Sequence, residues 1–233
     1  MIALGIDTSY EVCVGLAVDG VPTDVTVIPD TRAHAETLLP AVLDLCARNG
    51  IALPQVDEIA VGMGPGPFTG LRVGIVTAWT LADLGGIVPR GVCSLDVLAR
   101  QWVRVGAPDE FIVASDARRK EWYWARYVGG VRIEGPAVSS SDVVPDLPMA
   151  GPVVTPARLP AEIQQQPTDI VSSRPISGGT HVGAPERIDA SVLAADWSLL
   201  PEVDEPLYLR AADATVSTRT KSALPRPTNR RKR

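Results

Sequence analysis

The order of apolar runs along the chain predicts that strands and helices alternate in its first half. Short apolar or alternating runs predict strands at residues 2–6, 12–18, 23–29, 59–62 and 87–93. Longer runs with apolar residues at helical spacing predict helices at 34–48, 69–84 and 94–102. The predicted order is therefore β-β-β-α-β-α-β-α.

The first helix carries apolar residues on more than one face. One row holds Leu38, Val42 and Leu45, and the neighbouring row holds Leu39, Leu43 and Cys46. We therefore expect this helix to be covered on two sides.

The pattern restarts near residue 106. Residues 111–128 again predict a strand, an aspartate turn and a strand, and Asp116 follows an apolar run as Asp7 does. Two related lobes are therefore expected, and we place them at 1–107 and 108–213. Prolines, glycines and serines dominate 135–190, where few elements are predicted before a helix from Asp189 to about Leu199.

Charge divides the chain into an acidic body and a basic tail. The formal net charge is -5, yet residues 219–233 hold seven basic and no acidic side chains, which leaves -12 for the rest. We expect residues 214–233 to be disordered. The tail is either a solvated terminus or a contact for RNA phosphates, and the sequence leaves both open.

Other bulk features point to the reducing cytoplasm. The three cysteines are widely spaced and form no CxxC pair. The N-terminus has no basic start followed by a long apolar run, and no apolar stretch approaches the ~20 residues that span a bilayer. We expect a cytoplasmic protein without a membrane segment.

The glycine-rich stretch GMGPGPFTGLRVG, residues 62–74, invites comparison with phosphate-binding loops. It lacks the lysine of a P-loop, and its two prolines remove backbone N–H donors. Gly70, Gly74 and Ala78 instead form a stripe of small residues on the helix that follows. The stripe allows close packing either within this chain or against a partner.

Several motifs occur together, in order: IDTS, RAHAETLLP, GPGPFTGLRVG, DAR followed by EWYWA, and PLYLR. Together they resemble the TsaB (YeaZ) family, the dimerization subunit of the bacterial tRNA threonylcarbamoyladenosine machinery. The resemblance covers residues 1–128 and 206–210. Pro67 departs from it, since the family usually has serine there.

The resemblance implies an α/β fold of two lobes, as in actin, sugar kinases and Hsp70 ATPases (ribonuclease H-like), with the second lobe reduced. It implies a non-catalytic scaffold that pairs with TsaD, the transferase, and through it with TsaE, an ATPase. Contact with tRNA would then be made only through the complex. A homodimer of the free protein is also plausible.

The residues offer little for catalysis. His34 and His181 are the only histidines, so we expect neither a metal site nor a cofactor. Asp7, Thr8 and Asp116 are weak candidates for nucleotide binding, because aspartate turns hold phosphate and magnesium in this superfamily. An ATP-dependent kinase or carbamoyltransferase of the same fold remains the alternative.

The proposed partner interface lies on the first two helices. We expect their outer sides to expose Leu38, Val42, Leu45, Gly70, Gly74 and Ala78 together as a partner-binding patch. In that arrangement Gly74→Leu would weaken partner binding and leave the monomer folded.

Overall fold

A computed structural model describes residues 1–29, 34–152 and 183–210. Its first sheet has five strands: β1 (Ile2–Asp7), β2 (Val12–Val18), β3 (Val21–Ile28), β4 (Glu58–Gly62) and β5 (Arg90–Val92). The strand order is β3-β2-β1-β4-β5. The first three strands pair antiparallel, whereas β4 and β5 run parallel to β1. This topology is that of the ribonuclease H-like fold, as predicted.

Helices cover both faces of the first sheet. On one face lie α1 (His34–Arg48) and α2 (Phe68–Gly85), whose inner residues pack on the strands in one core cluster. On the other face lies α4 (Ala190–Asp196), followed by a 3-10 turn at Trp197–Leu199. Gly5 and Gly15 permit this second contact, because a Cβ at Gly5 would lie 2.1 Å from the carbonyl oxygen of Ala190.

The second sheet is smaller. It contains β6 (Glu110–Asp116), β7 (Glu121–Val128), β8 (Val131–Ser140) and β9 (Met149–Ala150), in the order β8-β7-β6-β9. The antiparallel pair β6–β7 repeats the β1–β2 design, as the sequence predicted. The long strand β8 was not predicted, because Gly135-Pro136 interrupts the sequence pattern that is typical of a strand.

Helix α3 (Ser94–Val105) joins the two lobes. Trp102 packs on Phe111 of β6 with ring centroids 4.9 Å apart, and Phe111 stacks on Tyr127 at 5.3 Å. The Tyr127 hydroxyl donates a hydrogen bond of 2.7 Å to Asp96 of α3. Because one core cluster contains residues of both sheets, the lobes share a single interior. The boundary at 107/108 stays a prediction.

The helix predictions agree closely with the structure. Helix α1 has the predicted bounds, and α2 begins and ends one residue outside them. Gly86 ends α2 in the left-handed conformation that glycine accepts without strain. The predicted basic tail and His181 lie outside the described residues. Among the helices that the structure describes, none is long and apolar enough to cross a membrane.

Candidate functional site

Asp7 ends β1 in a buried turn, where its carboxylate is engaged by its own chain. Oδ1 accepts hydrogen bonds from the Ser9 backbone N–H at 2.8 Å and the Ser9 hydroxyl at 2.6 Å. Oδ2 accepts one from the Ser94 hydroxyl, at the start of α3, at 2.7 Å. Burial raises the pKa of Asp7, and these hydrogen bonds oppose the rise.

The glycine loop packs directly onto this turn. A Cβ at Gly62 would lie 1.8 Å from Asp7 Oδ2, and one at Gly66 would lie 2.4 Å from the Ser9 carbonyl oxygen. The loop is also tied to α3, because Gly64 N–H donates to the Ser94 hydroxyl and Ser94 N–H donates to the Gly64 carbonyl. The glycines therefore let the loop backbone pack directly against the turn that holds Asp7 and Ser9.

The small-residue stripe of α2 contacts the same turn. Thr8 donates a buried hydrogen bond of 2.8 Å to the carbonyl oxygen of Gly70. A Cβ at Gly74 would lie 2.2 Å from the Thr8 hydroxyl oxygen. The expectation that Gly70, Gly74 and Ala78 are exposed is therefore wrong: all three are buried, and they let α2 approach the β1–β2 turn.

The same correction applies to α1. Leu38, Val42 and Leu45 are almost fully buried and pack on the first sheet. Together with Ala41 and Cys46 they form the wider apolar face, and a sheet covers the wider face because this removes more apolar surface from water. The six residues assigned to a partner interface belong to the protein's own interior.

The opposite sides of the two helices expose a different apolar set. We call it the outer apolar face; it consists of Leu39, Leu43, Phe68, Val76 and Trp79, all of them exposed. On α1 its members are four residues apart, and on α2 they follow the spacing of one helical face. The two helices pack on the same face of the first sheet and contact each other, so their outer sides face the same way.

Phe68 anchors one end of this face. Its ring lies 4.7 Å from that of Tyr208, and the Arg72 guanidinium lies over it at 5.0 Å. Phe68, Arg72 and Val76 also line a shallow pocket along α2. The sequence pattern placed Leu39 and Leu43 in a second apolar row of α1, but the predicted partner interface used the Leu38 row instead.

Asp116, the second candidate aspartate, lies in a different setting. It is exposed at the end of β6, and Oδ1 accepts a hydrogen bond of 2.8 Å from the Arg118 backbone N–H. Asp7 is buried and Asp116 is not, so the two predicted aspartate turns differ in environment.

The turn after Asp116 is basic and conformationally unusual. Arg118, Arg119 and Lys120 are exposed, with φ angles of 62°, 54° and 65°. Left-handed backbone costs a non-glycine residue about 1–2 kcal/mol. Arg210 holds the turn, because its guanidinium donates to the Ala117 carbonyl and lies 3.1 Å from a Glu121 carboxylate oxygen.

The remaining candidate residues concern metal binding and the hydrogen-bond partners of Asp7. No three histidine, cysteine or acidic side chains cluster as a metal site within 1–29, 34–152 and 183–210. His34 lies at the start of α1, with its imidazole 3.7 Å from the position of a Cβ at Gly70. Ser9 follows Asp7 by two residues, a spacing that predicts its hydrogen bond. Ser94 is 87 residues away in sequence, and no local pattern reveals it.

Comparisons with known proteins agree with this fold. Residues 26–163 match the family model described as TsaD, tRNA N6-adenosine threonylcarbamoyltransferase. An uncharacterized protein of Mycobacterium tuberculosis is 40% identical over 187 residues, covering 79% of each chain. The Escherichia coli tRNA threonylcarbamoyladenosine biosynthesis protein TsaB is 40% identical over 127 residues, covering 53% of this chain and 54% of that protein.

A solved structure extends the match to most of the chain. YeaZ from Pseudomonas aeruginosa superposes with a TM-score of 0.62 at 30% identity, covering 89% of this chain and 99% of that one. The fold and the family-model match thus define a two-lobed, ribonuclease H-like protein of the TsaD-related class. Within that class, the chain belongs to the TsaB (YeaZ) family.

Proposed function

We propose that this protein is a non-catalytic subunit of tRNA threonylcarbamoyladenosine biosynthesis, which binds TsaD and, through it, TsaE. The observation that carries the proposal is the outer apolar face on α1 and α2. Relatives of this chain carry the name of that biosynthesis, and the matching family model is that of the transferase itself.

The composition of the outer apolar face supports a protein partner. Aromatic residues and arginine are enriched at protein interfaces, and the face has two aromatic rings with Arg72 beside them. Three aliphatic side chains extend the apolar surface around them. Clustered exposed apolar residues on a monomer commonly mark such a site. Two helices side by side offer ridges and grooves to two helices of a related fold. The interface thus keeps the two helices first predicted but uses their opposite sides.

The Asp7 turn supports a scaffold rather than a kinase or carbamoyltransferase. A phosphate-binding aspartate of this fold must present its carboxylate to magnesium. Both carboxylate oxygens of Asp7 instead accept hydrogen bonds, from Ser9 and Ser94. Gly62 and Gly66 place backbone against the same turn. The aspartate is therefore a structural centre of the lobe in this proposal.

The proposal also covers the free protein. Without TsaD, a second copy would bury the same outer apolar face in a homodimer, and TsaD would replace that copy on binding. The complex would act in the cytoplasm, where tRNA is modified.

Co-purification with the organism's own TsaD tests the assignment. Val76→Glu should abolish the complex, because Val76 is 60% exposed on this face and the charge would be buried on binding. Val131→Glu is the matched control, since Val131 is 66% exposed but lies on β8. tRNA modification assayed with each protein alone and with both together should require both.

A complex that survives Val76→Glu, or that is lost equally in the control, would contradict the proposed interface. Modification by this chain without TsaD would contradict the non-catalytic role.

A further inference from the structure

We infer that the turn formed by residues 117–121 is a phosphate-binding contact through which this chain itself touches tRNA, in place of the expectation that tRNA is contacted only through the complex. The inference rests on the proposed function, which supplies the polyanion, but it adds a second surface distinct from the outer apolar face. The three central side chains, Arg118, Arg119 and Lys120, are consecutive, basic and exposed.

The local charge is opposite in sign to that of the body. Residues 116–121 together with Arg210 hold four basic and two acidic side chains, a net of +2. The body as a whole is strongly acidic, because residues 1–218 carry 27 acidic and 15 basic groups. Glu121 is paired with Arg210 at 3.1 Å. An anion approaching an otherwise repulsive surface is therefore steered to this turn.

The backbone of the turn gives a second, independent argument. All three basic residues have positive φ, which glycine or asparagine would accept with less strain. A sequence selected for stability alone would place glycine at one of these positions. Local strain held by a surrounding frame is typical of functional sites. The frame here is the Ala117–Glu121 backbone pair and the Arg210 contacts.

The position of Arg210 gives the third argument. Arg210 contacts the turn, and the sequence continues from it into 211–233, which carries the seven basic residues of 219–233. The basic segment 219–233 begins nine residues after Arg210 in the sequence. Phosphate rather than a base is the group recognised, because the turn offers charge without an exposed aromatic ring of its own.

Binding of tRNA to the full-length chain, measured by fluorescence anisotropy from 0.05 to 0.3 M salt, tests this inference. The double variant Arg118→Gly/Lys120→Gly removes two charges and relieves the positive φ strain. The slope of log K against log salt is negative, and each lost phosphate contact reduces its magnitude by about 0.7–0.9. The variant should therefore lose roughly 1.4–1.8 in slope and about 25- to 60-fold in affinity at 0.1 M salt. Its Tm should equal or exceed that of the wild type.

Two further variants separate the contributions. Arg48→Gln removes one positive charge at the end of α1, outside the turn, and should leave the slope unchanged. Deletion of 219–233 should lower the slope further when it is added to the double variant, and should leave the Tm unchanged. TsaD binding is measured in parallel; its loss with tRNA binding intact would count against the proposed function alone.

Several results would overturn the inference. These are an absence of tRNA binding by the wild type at 0.05 M salt, an unchanged slope in the double variant, and a Tm below that of the wild type. Binding to phosphatidylglycerol vesicles with the same dependence on the turn, in place of tRNA, would assign it to a membrane surface instead.

Discussion

Replacing Gly74 by alanine tests whether the small-residue stripe is interior packing. The added Cβ would lie 2.2 Å from the Thr8 hydroxyl oxygen and 3.2 Å from Thr8 Cβ and Cγ2. Thr8 cannot rotate freely, because its hydroxyl is buried and donates to the Gly70 carbonyl. Either that hydrogen bond breaks or α2 moves away from the turn.

The magnitude follows from opposing terms. Overpacking costs about 1–3 kcal/mol, and a contact of 2.2 Å with a buried, hydrogen-bonded hydroxyl places this site in the upper part of that range, at about 2–3 kcal/mol. The better helix propensity of alanine returns about 1 kcal/mol. We therefore expect Gly74→Ala to lower the free energy of unfolding by about 1–2 kcal/mol, measured by urea denaturation. Gly85→Ala is the control: its Cβ would meet only Ile87 side-chain carbons at 3.6 Å and 3.8 Å, so no such loss is expected.

A double-mutant cycle with Thr8→Ala identifies the cause. Thr8→Ala alone should cost about 1 kcal/mol for the lost hydrogen bond. In that background Gly74→Ala should raise the free energy of unfolding by up to about 1 kcal/mol, because the Thr8 hydroxyl and Cγ2 are gone and the helix-propensity gain of alanine remains. The coupling free energy is then about 1–3 kcal/mol. Additive effects, or a Gly74→Ala variant as stable as the wild type, would refute the reasoning.

Two further predictions concern the partner surface and the buried aspartate. Trp79→Ala should weaken TsaD binding by about 80-fold, measured by calorimetry. Trp79 is 42% exposed, which leaves about 105 Å² of its surface to be buried by the partner. At about 25 cal/mol/Å², this burial is worth about 2.6 kcal/mol. Unchanged affinity would remove Trp79 from the interface. For Asp7, the native pKa is raised by burial, so the native state binds more protons than the unfolded state between the two pKa values. The free energy of unfolding of the wild type, relative to that of Asp7→Asn, should therefore fall as pH rises above about 4 and level off above the native pKa. Urea unfolding from pH 4 to 8 measures this difference. A relative gain in stability with rising pH would contradict the burial argument.

Helix α1 shows what periodicity can and cannot predict. Its bounds followed from the sequence, since the apolar rows and Asn49-Gly50 define them locally. Which row faces the sheet did not follow, because Leu38 and Leu39 belong to adjacent rows of equal apolar character. Counting Ala41 as apolar would have widened the Leu38 row and favoured the buried assignment that the structure shows.

The glycines of the loop and of α2 show a different limit. For Gly70 and Gly74 the sequence predicted close approach by another helix, whereas the structure places Thr8 of the β1–β2 turn against both glycines. The sequence did not identify the neighbour, because Thr8 and Ser9 lie about 60 residues away in the chain. Ser94, which completes the hydrogen bonds of Asp7, was missed for the same reason. Long-range partners of a buried polar group leave no local pattern to find.

Gly62 and Asp7 constrain each other across evolutionary time. Any side chain at position 62 would occupy the space of the Asp7 carboxylate, since even a Cβ would lie 1.8 Å from Oδ2. A lineage that acquired alanine or serine there would first have to shorten the residue at position 7, and a lineage that lost the aspartate would leave the Ser94 hydroxyl without its acceptor. Gly62, Asp7 and Ser94 are therefore hard to replace one at a time. We expect the turn to be retained during evolution for this reason, even where no ligand selects for it.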